Sequence, residues 1–118
     1  EILHGSPSDE DEYLISIQDA AHNAPFLNAL VTFFGHTHVQ GGFLVHRSGV
    51  KRIPKVPPQS SGADLEIEPD RAYLINPGSV GQPRDGDPRC GYAIYDSDRR
   101  YVAFRRVAYD IRGAQQAI

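Results

Sequence analysis

Some residue types are scarce or missing from this sequence. It contains one cysteine, Cys90, and no methionine or tryptophan. A single thiol cannot form a disulfide within the chain, so nothing points to an oxidising compartment. No apolar run approaches the roughly 20 residues that a membrane-spanning helix needs, and no basic segment before an apolar stretch marks a secretory signal. We therefore expect a cytoplasmic protein, with no membrane binding indicated.

An excess of charge of one sign is also absent. The 118 residues carry 12 basic and 15 acidic side chains, which gives a formal net charge of −3. General nucleic-acid binders and binders of anionic membranes usually carry a basic surplus, so neither partner is indicated. The composition, with 40% hydrophobic and 23% charged residues, is typical of one soluble globular domain.

Both ends of the sequence have the pattern of segments inside a larger fold. Residues 1–4 resemble a strand that is already under way. Residues 110–118 resemble a helix that begins at the N-cap Asp110 and stops without a C-cap. We therefore interpret residues 1–118 as a single partial domain, and we expect both ends to be cuts through a larger one.

The spacing of apolar residues predicts strands interrupted by short helical pieces. Helical pieces are predicted over 13–30, with Ser16 and Asn23 as caps, and a loop is predicted over 54–64. The predicted strands cover residues 1–4, 31–34, 43–47, 50–53, 65–67, 72–76, 91–96 and 101–108. This order favours a mixed α/β sandwich of the α+β class over a regular βαβ array.

Three of the five histidines occur in similar surroundings. His36 and His38 follow a predicted buried strand with one residue between them, and His4 ends the first strand. Residues two apart in extended backbone point to the same side, and open α/β sheets place their sites at the carboxyl ends of strands. If the two strands are neighbours, the three imidazoles converge as metal ligands; the alternative is surface histidines beside a glycine-rich turn. His22 and His46 are expected to be structural or solvated.

Three short motifs resemble the late motifs of the calcineurin-like metallophosphoesterases, most closely those of their small prokaryotic branch. The motifs are His4-Gly5, Gly35-His36-Thr37-His38 and Asn76-Pro77-Gly78-Ser79. They occur in the expected order along the whole chain. The resemblance implies the carboxyl-terminal half of a metallophosphoesterase β-sandwich, with a mixed sheet and flanking helices. The earlier motifs of that superfamily, which supply carboxylates, an asparagine and an acid histidine, have no counterpart in the chain.

The resemblance also implies a hydrolytic function. It implies a phosphatase or phosphodiesterase that cleaves phosphomonoesters or phosphodiesters with a metal-bound hydroxide and two divalent ions (Mn, Fe, Zn or Ni). His4 and His36 would ligate one ion and His38 the other. Three neutral imidazoles provide no anionic ligand between two close divalent ions. We therefore expect that the isolated chain lacks the residues needed for catalysis and is inactive. Its expected partners are a phosphoester substrate, the missing amino-terminal half and, through an exposed apolar face, other copies of itself.

The loop 76–89 is the candidate for substrate contacts. Asn76 ends a predicted strand, and the guanidinium of Arg84 has the geometry to bind a phosphate. A rigid turn fixed by prolines is the structural alternative for this loop. Two other functions remain open for the chain. One is a non-catalytic binding or regulatory module that retains a vestigial histidine metal site. The other is a mononuclear zinc protein that uses the same three histidines and water.

Overall fold

The structure, a computed structural model, describes residues 1–118 as two β-sheets with a few short helices. In chain order the elements are α1 (Ile17–Asn23), a 3-10 helix (Ala24–Phe26), β1 (Val31–Phe33), β2 (Gly41–His46), β3 (Gly49–Arg52), β4 (Gly62–Glu66), β5 (Ala72–Asn76), β6 (Cys90–Asp96), β7 (Tyr101–Val107) and α2 (Ile111–Gln116). None of these helices is long and apolar enough to cross a membrane.

The two sheets differ in strand direction. The four-stranded sheet has the order β1-β5-β2-β3; β1 and β5 are parallel, and the other neighbours are antiparallel. The three-stranded sheet has the order β4-β7-β6 and is antiparallel throughout. A parallel bridge between Ile2 and Phe33 adds the first residues of the chain to the free edge of β1. The mixed sheet and the α+β class are as expected from the sequence.

Strand β5 separates two apolar cores because its side chains alternate between the two faces of the sheet. Tyr73 and Ile75 point into the core between the sheets, where they meet Val102 and Phe104 of β7. Leu74 points the other way, into a second core that lies under α1. The second core consists of Leu14, Ala20, Phe34, Phe43 and Leu74. The layers are therefore helix, mixed sheet and antiparallel sheet.

Local signals set the bounds of the first helix. Ser16 forms a capping box with Asp19: Asp19 N donates to Ser16 Oγ at 3.0 Å, and Ser16 N donates to the Asp19 carboxylate at 2.9 Å. The backbone hydrogen bond from Ser16, followed by the one from Ile15, lowers the pKa of Asp19. Pro25 has no N–H to continue the helix, so α1 gives way to a 3-10 turn. The prediction of Ser16 as a cap is confirmed.

The extent of β4 differs from the sequence prediction. A loop is predicted over 54–64 and a strand at 65–67, whereas β4 already begins at Gly62. The whole of β4 pairs with β7, from Gly62 opposite Arg105 to Glu66 opposite Tyr101. Glycine and aspartate have low strand propensity, so this segment is a strand because it has a partner strand, a property that local composition does not contain.

Candidate metal centre

Three parallel segments end at the same edge of the four-stranded sheet. Backbone hydrogen bonds of 2.8 Å join residues 1–3 to Phe33 of β1 in parallel orientation. β1 is in turn parallel to β5. The carboxyl ends of these neighbouring segments therefore carry His4, the turn 35–38 and Asn76, the last residue of β5. The first segment and β1 therefore lie side by side, which is the condition for His4 and His36 to converge.

His4 and His36 lie in contact at this edge. Their ring centroids are 4.5 Å apart, and the ring planes are inclined by 54°. The backbone also joins the two motifs, since Gly35 N donates to His4 O at 2.9 Å. The ring of Tyr13 stacks on His36, with centroids 3.8 Å apart and planes inclined by 18°. No sequence pattern singles out Tyr13, because its contact with His36 joins residues that are far apart in the chain.

His38 is oriented by a different loop. Its Nδ1 lies 2.8 Å from the carbonyl oxygen of Gln82. A carbonyl oxygen can only accept a hydrogen bond, so Nδ1 carries the proton and donates it. In that tautomer the lone pair is on Nε2, which is the nitrogen left free to bind a ligand. Metal-binding histidines are commonly oriented by this kind of hydrogen bond.

In the turn 35–38, called the histidine turn below, the backbone is left-handed at both histidines rather than extended. His36 has a φ angle of 67° and His38 a φ angle of 60°. The inference that both rings share a side because the backbone is extended is therefore wrong. Thr37 stabilises the turn: its N–H donates to Gly35 O at 2.7 Å, and its hydroxyl accepts from Val39 N at 3.2 Å. Left-handed backbone costs a non-glycine residue about 1–2 kcal/mol and is concentrated at functional sites.

Asn76 supports the turn from the end of β5. Its side chain is 1% exposed. The amide nitrogen donates to Thr37 Oγ1 at 2.8 Å and to Gly35 O at 3.3 Å, while the amide oxygen accepts from Gly78 N at 2.9 Å. These contacts use both N–H groups of the amide. In this structure Asn76 thus positions the histidine turn, and its contact with substrate stays a prediction.

Arg84 lies on the loop that faces His38. Its backbone N–H donates to His38 O at 3.1 Å. Its guanidinium is exposed and donates to the side-chain oxygen of Gln82 at 2.9 Å. The backbone of Arg84 therefore contacts the histidine turn, and its side chain has no acidic partner. Its role in binding substrate stays a prediction.

A buried ion pair fastens the same loop to the antiparallel sheet. Asp85 pairs with Arg106 of β7, and the two side chains are 1% and 4% exposed. The Asp85 carboxylate also accepts from Gln40 N at 3.1 Å, which connects the pair to the segment that follows the histidine turn. Nearby, a hydrogen bond from Arg89 is the main cause that lowers the pKa of Asp87 to about 2. The sequence contains no signal for this ion pair, because Asp85 and Arg106 are far apart in the chain.

The two remaining histidines make their contacts elsewhere. His22 is in the last turn of α1, where its ring lies 6.3 Å from that of Phe26. His46 ends β2, where it bonds to Ser48 Oγ at 2.8 Å and lies 3.6 Å from Asp70. Their contacts are those of a helix end and a hairpin.

The residues of this chain do not by themselves fit a dinuclear metal centre. The structure brings no group of three histidine, cysteine, aspartate or glutamate side chains together in a way that could hold an ion. It places His4 and His36 in contact and orients His38 from the opposite loop, with no carboxylate among them. Metal binding by these three histidines therefore stays a prediction.

Comparison with solved structures places this arrangement in a known fold. The chain superposes on the crystal structure of a metallophosphoesterase from Sphaerobacter thermophilus with a TM-score of 0.80 and 36% identity, over 98% of its own length. This chain has the calcineurin-like metallophosphoesterase fold. The resemblance inferred from the three motifs is thereby confirmed at the level of the fold.

The similarity covers only part of each relative. The chain spans 46% of the Sphaerobacter metallophosphoesterase. It is also 35% identical over 92 residues to the uncharacterized protein MJ0912 of Methanocaldococcus jannaschii, which corresponds to 73% of this chain and 32% of that protein. No protein-family model matches the chain. Because the chain spans less than half of each relative, phosphoesterase activity and dependence on divalent metal ions are proposals for this chain.

Proposed function

We propose that this chain provides the histidine-bearing part of a phosphatase or phosphodiesterase that depends on two divalent metal ions. The observation that carries the proposal is the contact between His4 and His36 at the carboxyl edge of a metallophosphoesterase fold. Their two imidazoles would ligate one ion, and the free Nε2 of His38 would ligate the other. Imidazole nitrogen suits manganese, iron, zinc and nickel, so the ligands alone leave the metal open. We propose a cytoplasmic location.

The remaining ligands of such a centre must come from outside these 118 residues. Two divalent ions a few ångströms apart repel each other unless anionic ligands lie between and around them. Imidazole is neutral when it binds a metal, so three histidines leave that repulsion unbalanced. We propose that a further segment supplies the carboxylates and completes the coordination of both ions. The 118-residue chain alone would then hydrolyse phosphoesters at a negligible rate.

The test compares the 118-residue chain with a version extended upstream of Glu1 to include the earlier motifs of the superfamily, which supply carboxylates, an asparagine and an acid histidine. Metal content is measured by mass spectrometry, and hydrolysis is measured with 4-nitrophenyl phosphate and bis-4-nitrophenyl phosphate. We expect about two ions per chain and measurable turnover for the longer protein, and neither for the 118-residue chain. In the longer protein, His38→Ala should remove mainly one ion, and His36→Ala should abolish turnover. His46→Ala is the matched control and should change neither quantity.

A non-catalytic binding module is the second candidate function. The observation in its favour is that no three potential ligands come together in the structure. This alternative replaces the first if the longer protein binds no metal, or if it hydrolyses both esters equally well without His36 and His38.

A further inference from the structure

A cavity of about 580 Å³ lies beside the histidine turn. It opens on the helix side of the mixed sheet, because Leu14, Phe34 and Phe43 of the core under α1 line it. Thr37 and residues 39–42 form another wall, so the cavity shares Thr37 with the candidate metal centre. Its volume is within the range of about 300–1,000 Å³ that is typical of small-molecule sites.

The floor of this cavity is apolar. Phe34, Phe43 and Ile53 line it, and each is at most 5% exposed, so the floor is part of the buried core. Ile15 stands at the rim and is 58% exposed. Such a floor stabilises an apolar group, and its three side chains offer no hydrogen-bond partner to the hydroxyl groups of a sugar or polyol, whose burial without partners costs free energy.

The rim carries uncompensated positive charge, although the whole chain has a net charge of −3. Arg52, Lys55 and Arg84 line the cavity, and none of them forms an ion pair. Arg52 donates to Ile15 O at 2.9 Å and lies over the ring of Phe43, 5.2 Å from its centroid. The one carboxylate in the lining, that of Asp85, is 1% exposed and already paired.

Arg84 connects the cavity to the candidate metal centre. Its backbone N–H binds His38 O at 3.1 Å, so its side chain starts at the boundary between the two. A guanidinium at such a boundary can bind a phosphate group in a forked geometry, while Lys55 contributes a second positive charge.

We propose that the cavity binds the organic part of the substrate, and that the substrate is a phosphoester of an aromatic or otherwise apolar alcohol. The apolar body lies over Phe34, Phe43 and Ile53, and Arg84 and Lys55 hold the phosphate at the rim. This assignment rests on the proposed phosphoesterase function. It goes further because it selects aryl-type phosphoesters over phosphorylated polyols, and it assigns that selection to the cavity.

Direct binding to the metal-free chain tests this assignment. Titration calorimetry in the presence of EDTA compares 4-nitrophenyl phosphate with glycerol phosphate and inorganic phosphate. We expect 4-nitrophenyl phosphate to bind about tenfold more tightly than the other two, since one buried ring adds at least that much. Because no metal is present, the outcome is independent of whether the dinuclear centre forms.

Two pairs of variants separate the contributions of charge and floor. Arg84→Ala with Lys55→Ala should weaken 4-nitrophenyl phosphate about tenfold or more, whereas Arg99→Ala with Lys51→Ala, outside the cavity lining, should not. Ile15→Ser should weaken 4-nitrophenyl phosphate several-fold and leave inorganic phosphate unchanged. Its control is Ile94→Ser, because Ile94 is similarly exposed at 54% but lies on β6. Circular dichroism checks that each variant is folded.

Three outcomes would overturn the assignment. They are equal affinity for 4-nitrophenyl phosphate and glycerol phosphate, unchanged binding by the Arg84 and Lys55 variant, and no binding of any ligand at millimolar concentration. None of these outcomes bears on the metal content of the longer protein. The proposed function is tested separately, by the metal content and hydrolysis rate of the longer protein.

Discussion

Removing the buried carboxylate of Asp85 should destabilise the fold more than removing any exposed carboxylate of the chain. Asp85→Ala leaves the guanidinium of Arg106, which is 4% exposed, without its closest counter-charge. Breaking a buried pair from one side typically costs about 3–5 kcal/mol, because the other charge stays buried. Arg106 keeps the carbonyl of Arg89 at 3.1 Å and the carboxylate of Asp87 at 3.7 Å. We therefore expect the lower end of that range, about 3 kcal/mol.

Urea unfolding followed by far-ultraviolet circular dichroism measures this loss. The matched control is Asp64→Ala, which breaks the pair that Asp64 forms with Arg105, the neighbour of Arg106 on β7. That pair has an N–O distance of 2.9 Å, but its side chains are 63% and 35% exposed. Water screens it, so the control should cost less than about 1 kcal/mol. The double variant Asp85→Ala with Arg106→Met should recover part of the loss. Equal losses of unfolding free energy for Asp85→Ala and Asp64→Ala would refute the inference that the buried pair of Asp85 and Arg106 stabilises the fold.

Two further outcomes are expected from local contacts. Ser16→Ala removes the capping box of α1 and should lower the free energy of unfolding by about 1 kcal/mol in the same urea assay; no change would mean that α1 is held by packing alone. The folded pKa of Asp87, about 2, is below its ordinary value of 3.8, so its contribution to stability is present above about pH 4 and is lost as the pH falls towards 2. The loss should be about 1–2 kcal/mol and should be absent in Asp87→Asn, and an identical acid profile for that variant would contradict it.

The sequence predicted most of the fold because its strands carry local patterns. The apolar run at β1, the hairpin of β2 and β3, and the cap of α1 are all visible in neighbouring residues. The start of β4 at Gly62 is not, because it depends on pairing with β7. The sequence did not predict the pairing of residues 1–3 with β1; that the two segments are neighbours was the condition from which convergence of the histidines was inferred.

The candidate site was less predictable than the fold. The spacing of the motifs placed His4 and His36 correctly at one edge, but it could not reveal the left-handed backbone at His36 and His38. Positive φ at a non-glycine residue depends on partners such as Thr37 and Asn76, and one of these is remote in sequence. Stacking by Tyr13 was missed for the same reason. Contacts between distant segments leave no periodic trace in the sequence.

The structure suggests how the histidine turn keeps a strained geometry without any metal. Three residues brace it: Asn76 at the end of β5, Gln82 through His38 Nδ1, and Asp85 through the backbone of Gln40, just after the turn. Left-handed backbone at two residues costs about 2–4 kcal/mol in total, and several hydrogen bonds of about 1 kcal/mol each are enough to offset it. The ligand Nε2 of His38 is thus oriented before any ion binds. A site prepared in this way still needs anionic ligands, because orientation does not reduce the repulsion between two divalent ions. The proposed further segment would therefore supply charge to a geometry that this chain already holds.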